Sequence, residues 1–385
     1  MKDEKRVIRI AVDGNEANCL HRVGSNVYAY EMLLALSRLT RRKQDVDLTV
    51  FLAQPPVSDM PGERQNWHYR VVGPRVAWTQ WGLPLYLWLH RGKFDVFYTP
   101  GHYAPRMCPL PYVSSIMDLA FWRYPDLFAA RDLYQLENWT RYSARGAAKI
   151  VAISEFSKHE VMKYYGRKDE DVVVAYPALT QKAVNLPKNE QKQVLTQLEV
   201  TTPYFLYLGT LQPRKNIRRI IDAFENLKLD RDYSAYKLVL AGKNGWLTDE
   251  IYQTIAQSTA YDDIVQTGFV TAREKGVLLQ NATATLNVGL YEGFGIPALE
   301  SLSYGTLPIV AGNTSLPEAV GNACLSVNPF KTASIAKAMV LAATFTPSER
   351  QRFLRLARRQ VQKFSYERSA RVVLDTLLQV VAERS

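Results

Sequence analysis

Short apolar segments alternate with helix-like segments twice along this chain of 385 residues. The alternation stops at a polar stretch, Pro177–Gln197, and then begins again. Such alternation is typical of a largely parallel sheet covered by helices on both faces. The expected strands are Val7–Val12, Asp47–Leu52, Trp67–Val72, Phe94–Tyr98, Tyr112–Ile116, Ile150–Ile153, Val172–Ala175, Tyr204–Leu208, Lys237–Ala241, Ile264–Thr267, Thr283–Leu290 and Leu307–Val310.

The length of the chain exceeds what one ordinary hydrophobic core holds. We therefore expect two α/β domains, each Rossmann-like and doubly wound, over residues 1–180 and 181–364. The polar stretch is the expected linker and hinge, and the chain from Ala333 onward is helical in pattern. Ligands of open sheets bind beyond the carboxyl ends of the strands, so two such domains facing each other would form an interdomain cleft.

Several classes of protein are disfavoured by composition. No apolar run approaches the roughly 20 residues that span a bilayer, and the charged N-terminal segment leads directly into a strand, so no signal peptide is expected. The three cysteines and five histidines lack the spacing of metal ligands. The first strand is not followed by GxGxxG, which argues against a dinucleotide dehydrogenase. We expect a cytoplasmic protein that needs neither a metal nor a cofactor.

The formal net charge of +11 needs a cause, and an anionic partner would supply one. Nucleic acid, an anionic membrane and a phosphorylated ligand would each fit, but no nucleic-acid-binding module is recognisable, so we expect no nucleic acid. The segment Arg75–Lys93 carries Trp78, Trp81 and Trp88 among apolar residues with basic edges. It predicts either an element that docks on anionic lipid or, preferably, a helix whose aromatic side chains lie in the core. Peripheral membrane contact stays open.

The loop Tyr291–Glu300 follows an apolar strand and opens a helix. Gly293 and Gly295 allow the backbone to approach a ligand, and the helix end attracts anions, so the loop suits a diphosphate. Its two carboxylates would repel phosphate and must instead accept hydrogen bonds from hydroxyl groups on either side. Hydroxyls flanking phosphates describe a nucleotide-sugar. The alternative is a strand-turn-helix with two solvated glutamates.

Two further loops favour the ligand-binding interpretation. Leu208–Asn216 also joins a strand to a helix, and it places Arg214 and Lys215 where they can neutralise a diphosphate leaving group. The Gly24 loop opens a helix in the other half and could present N–H groups to the same phosphates. Taken singly, the basic pair could be solvated charge and the Gly24 loop an ordinary helix start.

The three loops together resemble those of the retaining glycosyltransferases of family 4, the glycosyl transferases of group 1. The resemblance extends over nearly the whole chain and rests most on Glu292 and Glu300 in a Glu-x7-Glu spacing with Arg214 and Lys215 upstream. It implies the GT-B fold and metal-independent hexosyl transfer with retention of configuration. It also implies that a final helix, 365–385, crosses back to the N-terminal domain.

The resemblance implies roles for the residues of the Glu-x7-Glu loop. Glu300 would accept hydrogen bonds from the ribose hydroxyls, and Glu292 would hold hydroxyls of the transferred sugar. Backbone N–H groups of Gly293, Phe294 and Gly295 would lie near the sugar and the phosphates. Because Glu292 is then engaged, we expect front-face attack in which the leaving phosphate deprotonates the acceptor hydroxyl.

Other positions complete the expected donor site. Arg214 and Lys215 would stabilise the departing diphosphate, as a metal does in other transferase folds. Gly24 would approach the diphosphate from the N-terminal domain, and Val270 would lie near the base.

One departure from the family pattern concerns the donor sugar. Many relatives have a histidine directly before the aspartate equivalent to Asp118, and that histidine contacts the sugar. This chain has Met117, whose thioether donates no hydrogen bond. The departure leaves donor choice open. Asp118 is either a polar group on the acceptor side or, preferably, a residue that stabilises a turn.

The resemblance therefore implies an enzyme of cell-surface polysaccharide or glycolipid synthesis. We expect it to transfer a hexose, with mannose from GDP-mannose favoured, to a growing glycan or a lipid-linked acceptor at the inner face of the plasma membrane. The alternatives are a catalytically silent nucleotide-sugar-binding subunit and a GT-B sugar-nucleotide epimerase.

Overall fold

The computed structural model describes residues 6–181 and 183–384. These residues form two compact units: the chain up to Ala178 together with the chain from Ser365 onward, and Leu179–Phe364 between them. The boundary at Ala178/Leu179 lies two residues before the expected one. Residues 1–5, Lys182 and Ser385, which fall within the expected domains, linker and final helix, lie outside the described residues.

The first unit contains a seven-stranded parallel sheet with strand order β3-β2-β1-β4-β5-β6-β7. Strands β4 and β5 are buried along their whole length, as expected for a sheet covered on both faces. The strands are β1 Ile8–Asp13, β2 Val46–Leu52, β3 Trp67–Val71, β4 Val96–Thr99, β5 Tyr112–Ile116, β6 Lys149–Ala152 and β7 Val172–Val174. The helices up to Ala178 are α1 Ser25–Thr40, α2 Leu83–Leu89, α3 Ala120–Arg123, α4 Ala130–Gly146 and α5 Glu155–Tyr165.

The second unit contains a six-stranded parallel sheet with strand order β10-β9-β8-β11-β12-β13. Its helices are α6 Lys188–Gln197, α7 Ile217–Lys228, α8 Asp249–Gln257, α9 Ala272–Asn281, α10 Ile296–Ser303, α11 Leu316–Val320, α12 Thr332–Ala343 and α13 Pro347–Val361. Its strands are β8 Tyr204–Leu208, β9 Lys237–Ala241, β10 Ile264–Gly268, β11 Ala284–Asn287, β12 Leu307–Ala311 and β13 Leu325–Val327.

The last helix, α14 (Tyr366–Ala382), belongs to the first unit and packs against α1 and the first sheet. The Ser369 hydroxyl donates to the carbonyl of Tyr176 at 2.6 Å, and the Tyr366 ring lies 6.2 Å from that of Tyr28. One face of α14, including Leu374 and Leu377, is buried. This apolar face attaches the helix to the sheet.

The polar stretch Pro177–Gln197 contains a helix that we did not predict. Lys188–Gln197 forms α6, which packs on α9. Val194 is its one buried residue, and Gln191 hydrogen bonds with Gln280 and Asn281, so polar contacts attach this helix. Helix α1 begins at Ser25, and Gly24 lies at its N-cap position.

The segment Arg75–Lys93 is only partly the core-packing helix that we preferred. Trp78 is buried and its indole N–H donates to the carbonyl of Val72 at 2.9 Å. Trp81 and Trp88 are exposed, so the expectation is wrong for these two residues. No helix of residues 6–181 and 183–384 has the length and apolar character needed to cross a membrane.

The end of β1 carries a buried carboxyl group. Asp13 is 6% exposed; its Oδ1 accepts a hydrogen bond from the Asn15 N–H at 2.9 Å, and burial raises its pKa to about 7. The folded protein thus keeps this proton to a higher pH than the unfolded chain does. Stability contributed by protonated Asp13 is therefore present below about pH 4 and lost as the pH rises to about 7.

We expect Asp13→Asn to remove this pH dependence, because an amide cannot ionise. Between pH 5 and pH 8 the wild type should lose about 2–3 kcal/mol of unfolding free energy that the variant retains. Urea unfolding of both proteins at the two pH values measures the difference. Asp126→Asn, which removes an exposed carboxylate, is the control. If the unfolding free energies of Asp13→Asn and wild type change equally between the two pH values, the expectation is contradicted.

Candidate active site

In each sheet the strand order reverses at one point, between β1 and β4 in the first and between β8 and β11 in the second. Ligands of doubly wound sheets bind beyond the carboxyl ends of strands at such a reversal. The loops after β8 and β11 are the ones that carry Arg214, Lys215 and Glu292. The fold therefore brings these sequence-predicted residues to one place in the second unit.

The loop after β8 is held against the loop after β9 by close backbone contact. A Cβ on Gly242 would lie 1.9 Å from the carbonyl oxygen of Gly209, so only glycine fits there. The Leu211 N–H donates to the carbonyl of Lys243 at 2.9 Å, and the Gly245 N–H donates to the carbonyl of Leu211 at 2.9 Å. These contacts extend the parallel pairing beyond the strands and fix the course of the loop.

Asn216 anchors the other end of this loop. It has a left-handed backbone (φ 64°), which asparagine tolerates better than most residues. Its buried side-chain amide donates to the carbonyls of Val288 at 3.0 Å and Pro329 at 2.8 Å. One side chain thereby joins the loop after β8 to the segments that follow β11 and β13.

This anchoring places Lys215 beside Glu292. The ammonium Nζ donates to Glu292 Oε1 at 2.5 Å, and both side chains are mostly buried. The backbone carbonyl of Glu292 accepts a hydrogen bond from the Ser315 hydroxyl at 2.7 Å. The Arg214 carbonyl accepts from the Leu290 N–H at 2.8 Å, so the two loops are also joined by their backbones. The expected leaving-group cation and the expected sugar-binding carboxylate are in direct contact.

The turn into α10 depends on Gly295. Its φ of 106° and a Cβ position only 2.3 Å from Leu316 Cδ2 exclude a side chain at this residue. Pro297 lies in the first turn, where its missing N–H has no helical partner to lose. The side chain of Phe294 is buried against Phe364, at 5.2 Å between ring centroids, so this residue can offer a ligand only its backbone.

Glu300 lies in the second turn of α10 and forms an ion pair with Lys275 of α9. Lys275 Nζ lies 2.5 Å from Glu300 Oε1, and the two side chains are 32% and 19% exposed. No sequence pattern indicated Lys275, because an ion pair between residues 25 apart leaves no trace in their spacing. Both carboxylates of the Glu-x7-Glu loop thus have a lysine partner.

The loop after β10 contains the expected base-side residue. Val270 packs on the second core, while Gly268 has φ 67° and its carbonyl accepts from the Gly242 N–H at 2.8 Å. Phe269 is exposed. The loop lies at the carboxyl edge of the same sheet as the other donor-side loops.

Gly24, Met117 and Asp118 lie in the first unit. Gly24 has φ 56° directly before α1, a conformation that disfavours other residues, although a Cβ would meet no atom within 4 Å. Met117 is 9% exposed, and its carbonyl accepts from Ser157 at 3.4 Å. An Asp118 oxygen accepts from the Ala120 N–H at 3.2 Å, at the start of α3. This contact, from a side chain to the backbone two residues on, is that of an Asx turn.

A polar cluster that sequence reasoning missed lies near the reversal of the first sheet, around Asp13. The Glu16 carboxylate lies against Gly101, where a Cβ would be 2.7 Å from Glu16 Oε1. Burial raises the pKa of Glu16, and a hydrogen bond from Ser25 opposes this. Burial lowers the pKa of His102, which Asp118 partly opposes. Glu16 Oε2 and His102 Nδ1 are buried without a hydrogen-bond partner.

These two atoms can meet a ligand in complementary ways, since a carboxylate accepts hydrogen bonds and a neutral imidazole nitrogen donates or accepts one. No group of three or more histidine, cysteine or acidic side chains in the described parts of the chain is arranged to hold a metal ion. In the sequence, the members of this cluster share only their positions directly after β1 and β4. Those positions predict a cluster only once the strand order, which places β1 beside β4, is known.

The second-unit site combines two lysines, an arginine, two carboxylates and the N-terminal end of α10. Positive charge near a helix N-terminus stabilises phosphate, and ionised carboxylates accept from hydroxyls. The arrangement can therefore bind a ligand in which a diphosphate lies between two hydroxyl-bearing groups.

Two sequence relatives are described as mannosyltransferases. The O-antigen chain mannosyltransferase B of Escherichia coli is 29% identical over 301 residues, 78% of this chain and 76% of its own length. A GDP-mannose-dependent alpha-(1-6)-phosphatidylinositol dimannoside mannosyltransferase of Mycobacterium tuberculosis is 31% identical over 176 residues, 45% of this chain and 43% of its own length.

The structural and family comparisons agree on the fold. Anabaena HepE, solved with UDP and glucose, superposes with a TM-score of 0.71 at 16% identity, over 97% of this chain and 100% of that one. Residues 188–355 match the family described as glycosyl transferases group 1, and residues 23–180 match glycosyltransferase family 4. The two matches fall in successive halves of the chain, so its second half is similar to the group 1 glycosyltransferases, its first half is similar to glycosyltransferase family 4, and its fold is GT-B.

Proposed function

We propose that the protein is a retaining, metal-independent mannosyltransferase that uses GDP-mannose in the synthesis of a cell-surface polysaccharide or glycolipid. The observation that carries the proposal is the contact of Lys215 with Glu292 at the reversal of the second sheet, with Arg214 beside it. The names of the relatives support mannose as the sugar, and one of them names GDP-mannose as the donor. HepE, which was solved with UDP and glucose, shares only the fold at 16% identity.

In this proposal the contacts that the donor makes replace the two ion pairs. Ribose hydroxyls donate to Glu300 in competition with Lys275, and sugar hydroxyls donate to Glu292 in competition with Lys215. Lys215 then turns its charge, together with Arg214, toward the diphosphate. Negative charge grows on that diphosphate as the glycosidic bond breaks, so both cations stabilise the transition state more than the ground state.

Attack on the front face of the sugar follows from the engagement of Glu292. A carboxylate that accepts hydrogen bonds from the sugar hydroxyls is poorly placed to act as a nucleophile. The acceptor hydroxyl would then lose its proton to the leaving phosphate, and the new bond would form on the side that the nucleotide leaves. Mass spectrometry after reaction with a fluorinated donor tests this step, and a covalent glycosyl adduct on Glu292 would rule it out.

The acceptor is proposed to be a growing glycan or a lipid-linked saccharide at the cytoplasmic face of the membrane. The Mycobacterium tuberculosis relative is named for a lipid acceptor and the Escherichia coli relative for O-antigen chains. In the first unit, Glu16 and His102 would be available to acceptor hydroxyls.

We expect GDP-mannose to raise the thermal midpoint of the wild type. At a concentration about 100 times Kd the stabilisation is about 2.7 kcal/mol, or roughly 5–10 °C for domains of this size. Differential scanning fluorimetry with GDP-, UDP-, ADP- and dTDP-sugars measures the shift. Glu300→Ala should lose most of it, because the ribose loses its acceptor.

Glu250→Ala is the matched control, since Glu250 is an exposed glutamate of the same unit that pairs with Arg218 at 2.7 Å. It should keep the full shift. A shift with a different nucleotide class would replace GDP-mannose in the proposal. If none of the nucleotide-sugars shifts the midpoint, the chain is not a donor-binding enzyme of the kind proposed.

Removing the cations should slow the reaction more than it weakens donor binding. We expect Arg214→Met and Lys215→Met each to lower kcat by about 10²–10³, the loss typical of one group that stabilises developing charge. Steady-state kinetics measure kcat, and the donor-induced midpoint shift shows whether each variant still binds the donor. Arg218→Met, whose side chain is 65% exposed, should leave kcat unchanged. A rise in donor KM at constant kcat would show that the two residues only bind substrate.

A further inference from the structure

Helix α2 and the π-helical turn before it, Trp78–Gly82, cover one face of the first sheet. Their inner side is apolar, as expected: Trp78, Leu83 and Leu87 are buried in the first core. A helix that covers a sheet normally has a polar outer side. This one does not, and its outer side therefore needs an explanation.

The outer side forms what we call the α2 surface: Val76, Trp81, Leu85, Trp88 and Leu89. All five side chains are exposed, Val76 at 82% and Leu89 at 72%. Trp81, Leu85 and Trp88 follow one another at helical spacings of four and three, so they lie along one stripe. Of the nineteen large exposed apolar side chains in residues 6–181 and 183–384, these five and Val71 fall within nineteen consecutive residues. Single exposed apolar residues are normal, but a continuous patch marks an interaction site.

The charge around the α2 surface has one sign. From Arg64 to Phe94 the sequence contains five arginines or lysines and no aspartate or glutamate. Arg75, Arg91 and Lys93 are exposed at the two ends of the segment, and the Arg91 guanidinium lies 4.7 Å from the Trp88 ring. Arginine and lysine at the rim of an apolar patch can keep their charges at the level of lipid phosphates while their stems lie on apolar surface. Tryptophan prefers the same interfacial depth.

We propose that the α2 surface docks in the plane of an anionic lipid bilayer, with Trp81, Leu85, Trp88 and Leu89 entering the interface. The apolar stripe supplies burial, and the basic rim supplies attraction to anionic headgroups. A second copy of this chain fits less well, because a symmetric contact through the same surface would bring Arg75, Arg91 and Lys93 of both copies together. The proposal concerns a surface on the first sheet and does not depend on the proposed reaction.

Flotation with vesicles of phosphatidylglycerol and phosphatidylcholine tests the proposal. The wild type should bind at low salt, at least about tenfold more strongly than to vesicles of phosphatidylcholine alone, and high salt should weaken the binding. Trp81→Ser/Trp88→Ser should reduce binding at least about tenfold. Arg91→Glu/Lys93→Glu, which changes only exposed charges, should also reduce binding, because the new carboxylates are repelled by anionic headgroups. This variant tests the proposal even if the tryptophan variant fails to fold.

Leu229→Ser/Tyr261→Ser is the matched control, because it removes two exposed apolar side chains from the second unit. It should bind vesicles as the wild type does. All variants should keep the donor-induced midpoint shift, so a failure of vesicle binding is distinguishable from a failure of the proposed reaction. Absence of wild-type binding, or unchanged binding by both α2-surface variants, would overturn the proposal. So would a dimer in sedimentation that Trp81→Ser/Trp88→Ser abolishes, since the surface would then bind a second copy.

Discussion

The candidate donor site depends on the side-chain amide of Asn216. This residue ends the basic loop after β8 in a left-handed conformation and donates to the carbonyls of Val288 and Pro329. A buried amide that satisfies two carbonyls from different segments holds all three in one arrangement, since loss of either bond leaves a buried polar group unpaired. The position of Lys215, one residue before the anchor, follows from it, and so does the contact with Glu292.

The ion pairs explain how the site carries so much charge without a ligand. Lys215 and Glu292 are both mostly buried, and either charge alone would be costly there. Paired, they need no counter-ion, and the same holds for Lys275 and Glu300 in a more exposed position. A donor offers hydroxyl groups to the two carboxylates and phosphate groups to the lysines. The pairing therefore keeps the site ordered while its groups stay available.

The sequence predicted the parallel sheets well because strands buried on both faces are continuous apolar runs. Tyr112–Ile116 and Tyr204–Leu208 were predicted to the residue. It missed β13, Leu325–Val327, which is short and only partly buried, and it treated α6 as linker because polar bonds of Gln191 attach that helix. Lys275 and His102 were beyond prediction, because their neighbours come from distant segments that only the strand order brings together.

The α2 segment shows a related limit of sequence patterns. Apolar residues on every side of a short helix fit a buried element and an exposed docking element equally well, since periodicity identifies faces but not what covers them. The layers of the first unit decide between these alternatives. The sheet covers only the side with Trp78 and Leu87, and the described residues leave Trp81 and Trp88 exposed on the other side. The surrounding arginines and lysines, without an acidic residue from Arg64 to Phe94, then make an anionic surface the partner that matches both properties.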